Sequence, residues 1–181
     1  YPYHRRDDGD VARAVEVNLL APMLLSRRLL PGMVERGRGH VVNMASLAGK
    51  AGPPYEAVYG ATKAGLIGFT QSLRREYRGT GVSASVICPG YVTDTGMYAD
   101  GMEDAGAEAP ATAGRATPEG VARAVVDAVR NDEPEVLVNS TPVRPLTVLT
   151  EASPRLGEWV ARRLGLFDSF ERSAERALEE G

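Results

Sequence analysis

Two short β-branched runs with a single long helix between them leave this chain few ways to fold. The first run, Gly39-His40-Val41-Val42-Asn43-Met44-Ala45-Ser46, follows a Gly-rich turn and reads as a buried strand. Leu47 to Pro54 is rich in Gly, Ala and Pro and reads as a loop. A helix is expected from about Glu56 to Arg78, with Ala64, Leu66, Ile67, Phe69, Leu73 and Tyr77 as its apolar face and Gly79-Thr80-Gly81 as its stop. The second run, Val82-Ser83-Ala84-Ser85-Val86-Ile87-Cys88, is closed by Pro89-Gly90. Strand, helix and strand in this order form one crossover unit of an α/β sheet. In open parallel sheets of this kind, ligands bind beyond the carboxyl ends of the strands.

Three side chains fall where such a ligand would sit. Ser46 stands at the carboxyl end of the first strand, and Tyr59 follows it by thirteen residues. Lys63 is four residues beyond Tyr59, which on a helix puts phenol and ammonium on one face. A free tyrosine, with a reference pKa of about 10, shuttles protons poorly at neutral pH. A neighbouring cation favours the phenolate and brings the group toward a working range. A Tyr-x-x-x-Lys pair by itself is commonplace and mostly marks a solvated helix face, so its weight comes from its surroundings.

Those surroundings resemble the short-chain dehydrogenases/reductases. Asn18 in Val17-Asn18-Leu19-Leu20, the strand ending Asn43-Met44-Ala45-Ser46, Tyr59-x-x-x-Lys63 and Pro89-Gly90-Tyr91-Val92 occur in that family's order and spacing over residues 12 to 97. The resemblance implies an NAD(P)-dependent oxidoreductase that moves a hydride between NAD or NADP and an alcohol or ketone. Tyr59 would be the general acid/base. Lys63 would lower its pKa and hold the nicotinamide ribose hydroxyls. Ser46 would hydrogen-bond the substrate oxygen. Asn18 would bind a relay water through a local helix distortion. Pro89, Gly90 and Val92 would border the nicotinamide. Thr93-Asp94-Thr95 follows Val92 with one residue more than the usual spacing, so which threonine reaches the carboxamide stays open; Thr95 is the expected one.

The implied fold is a Rossmann-like, doubly wound parallel α/β sheet, without its N-terminal cofactor-binding strands. The chain opens at Tyr1-Pro2-Tyr3-His4, and no Gly-rich phosphate turn precedes Asn18. Residues 1–181 are therefore expected to be the C-terminal part of one NAD(P)-binding domain, with an unpaired sheet edge beside Val41-Val42. Two other functions stay open: a non-catalytic α/β binding or oligomerisation module, and an epimerase or dehydratase on the same scaffold. The family implies a homodimer or homotetramer.

Elsewhere, residues 12 to 36 read as a helix interrupted at Pro22 and at Pro31-Gly32. From Thr93 to Ala116 the composition shifts to Gly, Ala, Asp and Glu, which the family reading makes a substrate lid. Its Met97, Tyr98 and Met102, amid acidic Asp100, Glu103, Asp104 and Glu108, suit an uncharged lipophilic alcohol or ketone or else pin the lid to its own domain. Thr117-Pro118 starts a helix with Val121, Ala124, Val125 and Val129 apolar, and Glu135 to Val138 is a short strand. Residues 142–181 read as a helical extension. In it Leu156, Trp159, Val160 and Leu164 form an apolar face expected to dock on its own domain or a neighbouring subunit, opposite Arg155, Arg162 and Arg163.

A net charge of −3 without a basic stripe argues against nucleic acid as a partner. The single cysteine, Cys88, excludes an internal disulfide and reads as a small buried hydrophobe. His4 and His40 lie far apart without other clustered ligands, so no metal site is expected. No apolar run is long enough to span a membrane and no signal peptide is visible, which makes the cytoplasm the expected compartment.

Overall fold

The computed structural model describes residues 2–93 and 111–179. Three strands, β1 (Gly39–Met44), β2 (Val82–Pro89) and β3 (Glu135–Val138), form a parallel sheet in that order. Gly39 stands opposite Val82 and Met44 opposite Ile87, while Val86 to Pro89 face Glu135 to Val138. Among the described residues β1 pairs only with β2, so its outer edge is open.

Period-two alternation sorts β2 into two faces. Val82 and Ala84 pack with Val41, Leu30 and Leu73, and Val86 and Cys88 pack with Ala45 and Ile67. This face is covered by α4 (Ala57–Glu76) and α2 (Ala21–Glu35). Ser85 and Ile87 point the other way and are also fully buried, so a second layer must cover them. That layer is α5 (Pro118–Asn131), which packs on all three strands. The result is the doubly wound α/β arrangement expected.

Thr117 caps α5 by accepting from the Gly120 N–H, with Pro118 in the first turn. Its buried residue is Ala128, whereas Val129 is exposed. Small Ala128 lets the helix lie close on the sheet, with Val121 and Val125 half-buried beside it. On α4 the buried set is Gly60, Thr62, Leu66, Ile67, Thr70 and Leu73, and Ala64 is exposed.

The N-terminal helix is more continuous than its prolines suggest. α1 (Asp8–Val15) runs through a π-helical stretch, Glu16–Leu20, directly into α2. Pro22 falls in the first turn of α2 and Pro31 is accommodated inside it. Within the stretch read as a loop, Ala48–Ala51 forms one turn of helix, α3, stopped by Gly52 at φ 58°.

After β3 come α6 (Arg144–Ala152), α7 (Pro154–Arg163) and α8 (Asp168–Glu179). The apolar face of α7 packs only partly on its own domain: Val160 is half-buried, but Leu156 and Trp159 are 46% and 57% exposed, and Leu164 is exposed. Gly157 and Ala161 turn inward instead. At Gly157 an added Cβ would collide with Thr150 of α6, so the tight crossing selects the side of α7 without bulk. The guanidinium of Arg163 then lies 5.6 Å from the centre of the outward Trp159 ring.

Residues 94–110 lie outside the described ones. They hold Thr95 and the lid residues Met97, Tyr98 and Met102. On either side of them the chain is tied together: Val92 bridges Ala116, the Thr93 N–H donates to the Ala116 carbonyl (3.0 Å), and the Ala116 N–H to that of Tyr91 (2.7 Å).

Candidate active site

The depth at which α4 sits on the sheet is set by a buried polar pair. Asn43 Nδ2 on β1 donates to Thr70 Oγ1 on α4 (2.9 Å), and Thr70 Oγ1 donates to the Leu66 carbonyl one turn back (2.7 Å). Each group is satisfied, so the pair fixes the register between strand and helix instead of costing stability. Three turns of α4 toward its amino end, Tyr59 comes level with the carboxyl end of β1, where Ser46 lies just beyond Met44.

Ser46 and Tyr59 line one cavity of about 860 Å³, together with Gly90 and Tyr91 from the end of β2. Ser46 Oγ accepts from the Ala48 N–H (3.1 Å), which orients the hydroxyl through the first turn of α3. That turn is pressed against α4: a Cβ on Gly49 would stand 2.7 Å from the backbone of Lys63 and Ala64. The Gly/Ala composition of this segment, read as a loop signal, reflects that contact.

Lys63 lies beside the Tyr59 ring. Its ammonium lies 5.5 Å from the ring centre and donates to the Met44 carbonyl (3.0 Å). Burial, opposed by Cys88, holds its pKa below the ordinary lysine value. Burial also holds the Tyr59 phenol above its ordinary value; a hydrogen bond with Ser46 pulls it down and the carboxylate of Glu56 pushes it up. The expected lowering of the phenol pKa by Lys63 is thus not what dominates this arrangement. The ammonium is committed to a carbonyl, while the phenol sits in a desolvated wall beside an acid. Glu56 is itself raised, first by its own burial. Neither it nor Tyr55, which holds φ at 63° in the cavity wall, stood out in the sequence.

Asn18 makes no hydrogen bond to the other three among the described residues, but the backbone around it is distorted. It occupies the middle of the π-helical stretch, and Pro22 supplies no N–H for the Asn18 carbonyl at the α-helical i+4 spacing. The stretch is held to α4 by Leu19, whose side chain lies over Gly65.

Pro89 and Gly90 end β2, and Gly90 is confined: an added Cβ would stand 2.5 Å from Asn139 Oδ1. Among the described residues that buried amide oxygen has no donor, while Asn139 Nδ2 donates to the Ala113 carbonyl (2.9 Å) and Thr141 Oγ1 (2.9 Å). Asn139 was not singled out in the sequence, where a lone Asn after a strand carries no distinctive signal. Among the described residues no group of His, Cys, Asp and Glu could hold a metal ion, and no helix is long and apolar enough to cross a membrane. Buried Cys88 has its thiol pushed up to about 12, first by desolvation, so it is no nucleophile.

A strand-end Ser and a helical Tyr share one cavity at the carboxyl ends of a parallel α/β sheet, with Lys63 beside the Tyr and Asn18 in a π-helical stretch. Residues 1–106 match the family model described as short chain dehydrogenase, and the chain belongs to that family. It is 43% identical over 178 residues to the ketoacyl reductase HetN of Nostoc sp., covering 96% of this chain and 61% of that protein. It is 34% identical over 152 residues to dehydrogenase/reductase SDR family member 7B of Rattus norvegicus, covering 81% of this chain and 46% of the relative. The chain thus spans about half to three fifths of these relatives' length. Among solved structures, serine dehydrogenase from Escherichia coli matches with a TM-score of 0.60 at 30% identity, over 78% of this chain and 57% of that one. ElxO with NADP bound matches with a TM-score of 0.67 at 20% identity, over 76% of this chain and 59% of that one, a likeness of fold.

Proposed function

We propose that this protein is an NAD(P)-dependent oxidoreductase acting on a neutral alcohol or ketone, with Tyr59 as general acid/base. The observation that carries this is the convergence of Ser46, Tyr59 and Lys63 at the carboxyl ends of two parallel strands, two of them on one cavity. A scaffold has no need of that trio.

The residues fit a nicotinamide cofactor. Lys63 has spent one of its three N–H donors on Met44, and the rest suit vicinal ribose hydroxyls. Beside Gly90 a buried amide acceptor, Asn139 Oδ1, has no donor among the described residues. Pro89, Gly90 and Val92 would border the nicotinamide, and Thr95 its carboxamide. When bound, the cofactor supplies or accepts the hydride. In reduction Tyr59 Oη would give its proton to the substrate's carbonyl oxygen as the C=O π bond opens, which leaves an alcohol and a phenolate. Ser46 Oγ donates to that oxygen, and Asn18, through its backbone carbonyl, holds the water that reprotonates Tyr59. The raised phenol pKa suits the acid role, because the group arrives protonated at neutral pH.

On this reading residues 1–181 are the C-terminal part of one NAD(P)-binding domain, 93–116 its substrate lid and 142–181 its helical extension. Incubating the protein with NADH or NADPH and a panel of ketones, while following nicotinamide absorbance, tests it. Ketone-dependent oxidation abolished by Tyr59→Phe is the expected result. Turnover unchanged by that substitution would overturn the assignment.

A further inference from the structure

The cavity is far larger than the chemistry at Tyr59 requires. At about 860 Å³ it lies high in the range of roughly 300–1,000 Å³ for pockets that take drug-sized ligands. From Ser46 and Tyr59 it continues to Gly157, Ala161 and Ala174, so α6, α7 and α8 wall it rather than merely trailing behind the fold. Gly157, Ala161 and Ala174 are buried and small, which leaves the far wall without side-chain bulk. Leu146, Leu166, Phe167 and Phe170 make most of the remainder apolar, and Phe170 is fixed by its ring contact with Tyr91 at 6.0 Å.

Two of the cations on this wall are ion-paired within the protein and a third is hydrogen-bonded. Lys50 pairs with Glu135 (2.7 Å) and Arg162 with Glu158 (3.1 Å), while Arg6 donates to the Tyr55 carbonyl (3.2 Å). The acids Glu56 and Glu171 also border the cavity and weigh against a substrate with an anionic tail. A short ketone would leave most of the space wet against apolar side chains. An extended hydrocarbon tail would displace that water, with a favourable contribution from each methylene buried.

Resting on the oxidoreductase reading, we propose that the substrate is a neutral ketone or secondary alcohol with an extended apolar tail, lodged between Tyr59 and the three C-terminal helices. The tail is what the helical extension recognises.

The test is a homologous series of methyl ketones, from butanone to dodecanone, assayed with the cofactor-loaded enzyme. kcat/KM should rise on the order of 100-fold across the series before it levels off. Leu146→Trp and Ala161→Phe, each checked by thermal melting, should cut the long-to-short ratio about tenfold or more by occupying the tail path. Calorimetric binding of decanone to Tyr59→Phe gives a readout independent of turnover, and Leu146→Trp in that background should weaken it. Turnover of short ketones with a flat chain-length profile would overturn the tail assignment and leave the oxidoreductase reading intact. Absence of turnover on every ketone and alcohol, with decanone still bound and displaced by Leu146→Trp, would overturn the reading and leave the tail site standing.

Discussion

The two ends of the sheet use polar residues in opposite ways. At the amino end of β2, Arg74 of α4 reaches Asp132 through both carboxylate oxygens (2.8 and 2.9 Å) and also donates to the Asp132 and Ala84 carbonyls. Ser83 donates to Asp132 (2.6 Å), and Ser85, which donates to the Glu133 carbonyl, accepts from His40 Nε2 (2.7 Å). Capacity there is spent on the fold, and Asp132 is held below the ordinary carboxylate range, first by its hydrogen bonds to Arg74 and Ser83. At the carboxyl end, burial pushes Tyr59 up and Lys63 down, and Asn139 Oδ1 has no donor among the described residues. Saturated polar groups lock elements together; desolvated, undersatisfied ones keep their free energy for a ligand.

Substitutions at the two ends should therefore separate activity from stability. The largest effect is expected for Tyr59→Phe, which removes the transferable proton. kcat should fall by roughly 10²–10⁴-fold, while cofactor titration and melting temperature stay near the parent's values. Equal losses of kcat and stability would erase the contrast between the ends.

Lys63→Ala comes next. It should weaken cofactor binding on the order of tenfold by deleting donors to the ribose. It should also move the pH optimum for alcohol oxidation upward, because the phenolate loses its nearest cation. A pH–rate profile that does not move would mean Lys63 acts on the cofactor alone.

Arg74→Met addresses the other end. It should cost about 1–2 kcal/mol, a figure limited by the 58% exposure of the Asp132 side chain, and lower Tm with kcat unchanged. The depressed Asp132 pKa means its stabilisation is complete above the unfolded value of 3.8 and is lost as pH falls through the folded value. The variant should therefore lose less stability than the parent between pH 4 and the acid limit, as melting curves would reveal.

The smallest effect belongs to His40. Its folded-state pKa is lowered below 6.5, first by burial, so the unfolded chain takes up the proton sooner. Stability should decline slightly as pH drops from 6.5 through the folded value, and His40→Gln should flatten that decline. A parent protein that gains stability over this window would show the imidazolium to be favoured by Asp132.

The crossover unit was legible because strand, helix and strand carry local signatures. β-branched runs, a Gly-x-Gly stop and a Thr-Pro cap declare themselves within a few residues of sequence. The stretches that went astray have faces chosen by distant partners. α7 turns Gly157 inward because Thr150 leaves no room for a Cβ, so most of its hydrophobic stripe faces outward. α3 reads as a loop until Gly49 meets the backbone of Lys63. Pro22 reads as an interruption, yet the π-wound stretch before it carries the helix through without a break.

Sequence spacing alone determined that Tyr59 and Lys63 share a helix face and that Ser46 ends the neighbouring strand, since both follow from the repeat geometry of helix and strand. Tertiary structure decided the rest. The direction of the phenol pKa, the commitment of the Lys63 ammonium to Met44 and the joining of Tyr59 to a cavity walled by α6, α7 and α8 depend on desolvation and contact between residues up to a hundred or so positions apart. Burial and field are properties of what surrounds a residue in space, and no local pattern encodes them.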